Sequence, residues 1–123
     1  MLTKRILVVE DEVEIRLLLT EVLGDAGFDV AEAKDGNHAM QMLDGSAPFD
    51  LVVTDISMPG TADGNVAAAR AKIRDPQIPV VYVSGRPESL RNSIGDGDAF
   101  ICKPFSLHNV VRVVQHLLDG RRA

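Results

Sequence analysis

Short, continuous apolar runs recur along the chain, and between them apolar residues return every three or four positions. The first run, Ile6-Leu7-Val8-Val9, ends abruptly in Glu10-Asp11-Glu12. Continuous rather than alternating hydrophobicity predicts a strand covered on both faces, as in a parallel sheet. Ile15, Leu18, Leu19, Val22 and Leu23 then follow at helical spacing, and Gly27 stops that helix. Phe28 to Ala33 reads as a second strand. Asp35 is placed to cap a second helix with Ala39, Met42 and Leu43 on its inner face, broken by Gly45, Ser46 and Pro48. Leu51-Val52-Val53-Thr54 predicts a third strand ending in Asp55, with a turn at Pro59-Gly60 beyond it.

The alternation continues to the end of the chain. Val66 to Ile73 is an alanine-rich helix ended by Asp75-Pro76. Val80 to Ser84 is a fourth strand, and Pro87 to Ile94 reads as a short helix closed by Gly95-Asp96-Gly97. Ala99 to Cys102 is a brief fifth strand ending in Lys103-Pro104. Ser106 caps a final helix with Leu107, Val110, Val111, Val114, Leu117 and Leu118 on one stripe, and Gly120 is expected to close it. Strand and helix alternating through short links predict an α/β fold, a parallel sheet with right-handed crossovers. No repeat, low-complexity segment or linker interrupts it, so residues 1–123 read as one domain.

Composition narrows the function classes. The chain of 123 residues carries a net charge of −5, which argues against a non-specific binder of nucleic acid or of an anionic membrane surface. The apolar run after Lys4-Arg5 is too short for a signal-peptide core or a membrane span. One cysteine, Cys102, excludes an internal disulfide and fits a reducing compartment, so a cytoplasmic protein is expected.

Strand ends carry the candidate chemistry. In a parallel sheet they share one edge, so Glu10-Asp11, Asp55, Ser84 and Lys103 converge there. Ligands of open α/β sheets bind at that edge, although an aspartate after a strand also serves simply to cap a turn. Like-charged carboxylates about 4 Å apart repel by on the order of 4 kcal/mol at an intermediate dielectric. A cation relieves that repulsion, and an all-oxygen donor set suits Mg²⁺. Lys103 adds a compact positive charge and Ser84 a hydroxyl, which together suit a phosphoryl group carried on Asp55.

These residues, with the segments ILVVEDE, LVVTDISMPG and FICKPF around them, resemble the receiver domain of response regulators. The resemblance runs from the first strand to the last helix. It implies a flavodoxin-like, five-stranded (βα)5 fold of strand order 2-1-3-4-5 with helices on both faces, and a cis bond before Pro104. It implies Asp55 as phosphoacceptor from a histidine kinase or histidine phosphotransfer protein, a signalling role in which the chain catalyses only its own phosphorylation and dephosphorylation. Mg²⁺ would be held by Glu10, Asp11, Asp55 and the backbone carbonyl of Ser57, with Glu10 acting through metal-bound water. Lys103 and Ser84 would bind phosphoryl oxygens, and Ser84 and Phe100 would form the switch. Ser57 and Arg86 occupy positions that tune hydrolysis in the family.

Two stretches depart from family spacing: the loop between Pro59 and Gly64 is one residue longer, and the path from Ser84 to Lys103 is about three residues shorter. An aspartate-nucleophile phosphohydrolase of the haloacid dehalogenase type would need a second acid two residues after Asp55, where Ser57 stands. A pseudo-receiver, binding without phosphorylation, usually lacks an acid, the acceptor or the lysine. Only Arg121-Arg122-Ala123 follow the last helix, so a stand-alone regulator without direct nucleic-acid contact is expected, acting on an unidentified downstream protein; a receiver cut from a longer chain reads the same. The pattern also allows a homodimer through the last two helices. His38, His108 and His116 read as surface residues, and Cys102 as a buried small apolar group. Val13 and Leu17, opposite the buried stripe of the first helix, read as a docking patch for the phosphodonor.

Overall fold

A computed structural model describes residues 3–45, 47–56, 64–85 and 97–121. Its strands are β1 (Arg5–Val9), β2 (Asp29–Ala33), β3 (Leu51–Asp55), β4 (Val80–Ser84) and β5 (Ala99–Cys102). The helices among the described residues are α1 (Val13–Asp25), α2 (Gly36–Leu43), α3 (Gly64–Arg74) and α4 (Leu107–Arg121). All the strands lie parallel in one sheet of order β2-β1-β3-β4-β5. The helix expected over 87–94 and the longer loop after Pro59 lie outside the described residues.

Alternate strand residues feed two apolar layers. Ile6 and Val8 of β1, Leu51 and Val53 of β3, and Val81 and Val83 of β4 pack with Leu19 and Leu23 of α1 and Val110, Val114 and Leu118 of α4. Leu7, Val9, Val52 and Val80 face the other way, onto Ala39 and Leu43 of α2 and Ala67, Ala68 and Ala71 of α3. The period-two geometry of a strand thus turns one continuous apolar run into two buried faces. Each fully buried valine or leucine contributes roughly 1.5–3 kcal/mol, which makes the central strands a rigid platform for whatever their ends carry.

Helix ends follow the sequence closely. Gly27 has φ +100°, Gly27 N donates to Gly24 O and Phe28 N to Leu23 O, the paired hydrogen bonds of a glycine-terminated helix. Asp35 Oδ1 accepts from His38 N at 2.8 Å, and His38 Nδ1 accepts in return from Lys34 N. His38 is accordingly a half-buried capping residue, whereas His108 and His116 are exposed as expected. Ser106 Oγ accepts from Asn109 N at 3.0 Å and starts α4.

Three further expectations are corrected. Leu18 is exposed rather than inward, because Leu19 and Leu23 occupy the centre of the buried stripe and Leu18 falls at its rim. Cys102 is exposed, standing at the end of β5, which is an outermost strand of the sheet order. Gly120 does not close α4, which continues through it to Arg121.

Candidate functional site: an acidic edge with one shared lysine

The strands end together at one edge, and the polar residues that follow them meet there. Thr54, Asp55 and Ser84 are buried at the ends of β3 and β4, and Glu10, just past β1, is 1% exposed. Lys103 N donates to Ser84 O at 2.8 Å, extending the β4–β5 ladder by one step and bringing the lysine over the edge. The peptide bond that follows, Lys103-Pro104, is cis. Phe100 stands within β5, half-buried, paired in register with Tyr82 of β4. Ser57 and Arg86 lie outside the described residues.

Lys103 is the electrostatic centre of the cluster. Its Nζ lies 2.7 Å from Asp55 Oδ2, 3.5 Å from Glu10 Oε1 and 4.0 Å from Glu12 Oε1. Burial alone would lower the Lys103 ammonium, but the hydrogen bond to Asp55 and the charges of Glu10, Asp55 and Glu12 together hold it above the usual lysine range. Carboxylate oxygens of Glu10, Asp11 and Asp55 all lie within 4.8 Å of one another. Among the described residues, negative charge at this edge therefore exceeds what Lys103 balances.

Glu10 is strongly shifted, chiefly by its burial. Burial, opposed by the hydrogen bond from Glu12 N and reinforced by the neighbouring Asp55 and Asp11 carboxyls, pushes it up to about 8. Its Oε2 accepts from Glu12 N at 3.1 Å, while Oε1, 3.5 Å from Lys103 Nζ, is buried with no hydrogen-bond partner among the described residues. Leaving a buried acceptor in that condition costs roughly 1–3 kcal/mol. A hard divalent cation would offset the repulsion among the acids, and a water bound to it would give Glu10 Oε1 a hydrogen-bond donor. Among the described residues the donor set offers carboxylate oxygens and no nitrogen or sulfur, and so fits Mg²⁺ better than a softer metal.

The family model for the response regulator receiver domain matches residues 6–115. The chain belongs to this family. It is 35% identical over 118 residues to the response regulator receiver protein CpdR of Brucella abortus, covering 94% of this chain and 97% of that protein. It is 37% identical over 117 residues to YrkP of Bacillus subtilis, an uncharacterized transcriptional regulatory protein, covering 92% of this chain but 49% of YrkP. The chain therefore spans about half the length of some curated relatives and nearly all of another. A response regulator receiver protein from Sinorhizobium medicae superposes with a TM-score of 0.89 at 36% identity, with 97% of each chain covered. The protein is thus a receiver domain of two-component signalling, a family of phosphoacceptors that bind Mg²⁺ through acidic residues and interact with histidine kinases or phosphotransfer proteins. Among the described residues no helix is long and apolar enough to cross a membrane.

Three site neighbours escape a reading of the sequence. Glu12 shares Lys103, and Arg16 of α1 reaches back to Glu10 O while pairing with Glu32 of β2. The available signal is Arg16 itself, a lone cation between Ile15 and the run Leu17-Leu18-Leu19.

Proposed function

We propose that this receiver accepts a phosphoryl group on Asp55 from the phosphohistidine of a kinase or phosphotransfer protein, or from a small acyl phosphate, in a Mg²⁺-dependent reaction. The observation that carries the reading is the gathering of the Glu10, Asp11 and Asp55 carboxylates around Lys103, with a buried Glu10 oxygen that has no hydrogen-bond partner among the described residues. A carboxylate oxygen of Asp55 attacks phosphorus as the bond to the donor's imidazole nitrogen, or to the acyl oxygen, breaks and its electron pair leaves with the donor. Water later attacks the aspartyl phosphate, releasing inorganic phosphate and restoring the Asp55 carboxylate. Bound at Glu10, Asp11, Asp55 and the Ser57 carbonyl, Mg²⁺ would supply positive charge for the phosphoryl oxygens, with Glu10 acting through metal-bound water.

The remaining work falls to position and charge. Lys103 now pairs with Asp55 at 2.7 Å and would transfer part of that contact to a phosphoryl oxygen. The Ser84 hydroxyl, at the end of the adjacent strand, would donate to another. Ser84 moving toward the phosphoryl group would free space for Phe100, and Phe100 lacks a hydroxyl, so packing alone would report the change. The exposed side chains of Val13 and Leu17, 56% and 53% accessible, stand on α1 just after the acidic pair and would dock the phosphodonor. We place the protein in the cytoplasm, signalling through a downstream protein rather than by direct contact with nucleic acid or membrane; a homodimer through the last two helices is compatible with this.

Incubation with acetyl phosphate and Mg²⁺, read by intact mass, tests the reading. One added phosphoryl group, absent with chelator and absent in Asp55→Asn, is the expected result. No addition under any condition, together with no Mg²⁺ binding, would leave a pseudo-receiver that acts by binding alone.

A further inference from the structure

The proposed phosphorylation chemistry uses the side chains of Glu10 and Asp11, but says nothing of what holds the backbone that presents them. Glu10 C=O and Asp11 N–H belong to one planar peptide group, so holding that carbonyl oxygen restrains the plane from which both acidic residues branch. Arg16 Nη1 donates to Glu10 O at 2.9 Å. The other backbone group of Glu10 is held too, since Glu10 N donates to Ala33 O at 3.0 Å. Arg16 is itself oriented by Glu32, whose Oε1 lies 3.3 Å from Arg16 Nε. Ala33 and Glu32 are both in β2, so the outer strand reaches the acidic turn twice, once directly and once through the guanidinium. The rigid, planar fork of arginine suits this two-way contact, and the single ammonium of lysine does not reproduce it.

We propose that Arg16 is a positioning residue for the acidic pair, setting the affinity of the site for a divalent cation by holding the Glu10-Asp11 peptide. The inference rests on the reading of Glu10, Asp11 and Asp55 as a Mg²⁺ site. It makes a prediction opposite in sign to simple electrostatics. Removing a positive charge beside a cluster of carboxylates should tighten cation binding if charge alone matters. Losing the hold on the peptide should weaken it, since supporting residues around a metal site typically change affinity by 10–100-fold.

The test is calorimetric titration of Mg²⁺ into metal-free wild type, Arg16→Ala, Arg16→Lys and Asp11→Asn, with circular dichroism to establish that each is folded. Arg16→Ala is expected to bind about 10-fold more weakly, and Arg16→Lys roughly 3-fold more weakly despite its conserved charge. Unchanged or tighter binding by a folded Arg16→Ala overturns the inference, and a lowered melting temperature without a change in affinity marks Arg16 as merely structural and does the same. If the alanine variant does not fold, Arg16→Lys decides: wild-type affinity there overturns the inference. Failure of the wild type itself to bind Mg²⁺, or undiminished binding by Asp11→Asn, instead removes the metal site on which the inference depends.

Discussion

Two buried aspartates at opposite ends of the sheet look alike locally and differ in what surrounds them. Asp98, just before β5, has a side chain 3% exposed and lies 2.8 Å from Lys72 Nζ; Asp55, at the end of β3, is 4% exposed and lies 2.7 Å from Lys103 Nζ. Asp98 Oδ1 also accepts from Val80 N at 2.9 Å, and Lys72 Nζ donates to Ile78 O as well. Among the described residues one anion meets one cation there, and a backbone group of Val80 or Ile78 adds a hydrogen bond to each. At the other end Lys103 is shared among Asp55, Glu10 and Glu12, with Asp11 close by. A buried aspartate–lysine pair is therefore not in itself a sign of chemistry. Local charge balance separates a fastening between α3, β4 and β5 from the edge that, on the proposed function, receives a cation and a phosphoryl group.

Exchanging the two aspartates for asparagine breaks the comparison most sharply. Asp55→Asn should abolish phosphoryl addition from acetyl phosphate, whereas Asp98→Asn should retain it at a temperature where that variant is folded. Stability should respond differently: Asp98→Asn removes a charged acceptor from Lys72 and weakens the contact to Val80 N, costing about 2 kcal/mol in urea unfolding. Equal loss of phosphorylation in both variants would erase the distinction.

Mg²⁺ should separate the ends next. Ligand bound only to the native state adds about 2.7 kcal/mol at a hundred times its dissociation constant. Wild type and Asp98→Asn should both gain stability with Mg²⁺, and Asp11→Asn should gain little. Without metal the order reverses, because Asp11→Asn relieves like-charge repulsion and should be more stable than wild type by about 0.5–1 kcal/mol.

A pH series sharpens the same contrast. Glu10 binds its proton more tightly in the folded chain than in the unfolded one, where 4.5 is the ordinary value, since burial pushes it up to about 8. Its stabilising contribution in chelator is therefore full below about pH 4.5 and is lost as pH rises through about 8. Over that window wild type should lose up to about 1.4 kcal/mol per pH unit relative to Glu10→Gln. A constant difference between the two would show that Glu10 ionises as freely folded as unfolded. The smallest expected effect lies at the α1 surface, where Leu17→Asp should slow transfer from a phosphohistidine donor several-fold and leave the acetyl phosphate reaction unchanged. Equal slowing with both donors would remove the docking role.

How much of this was legible in the sequence depends on the range of each interaction. Apolar runs ending in Glu10, Asp55, Ser84 and Lys103 mark strand ends, and a parallel sheet necessarily gathers them. Gly27, Asp35 and Ser106 mark helix ends because capping is settled within a few residues. The link from Arg16 to Glu10 and Glu32 requires β2 to lie beside β1, and the Lys72–Asp98 pair joins residues 26 apart in the chain. Neither leaves a periodic trace. Cys102 departs from its expected burial for a related reason: an apolar residue ending a strand is buried only if another element covers it, and its place in an outermost strand is decided by topology.

The decisive experiment is to locate the phosphoryl group. After treatment with acetyl phosphate and Mg²⁺, borohydride reduction converts an aspartyl phosphate to homoserine, which peptide mass mapping assigns to a residue. Conversion confined to Asp55 is the expected result. Conversion at Asp98, at another carboxylate with Asp55 intact, or at no residue in protein shown to bind Mg²⁺ would contradict the assignment of the acidic edge as the phosphoacceptor site.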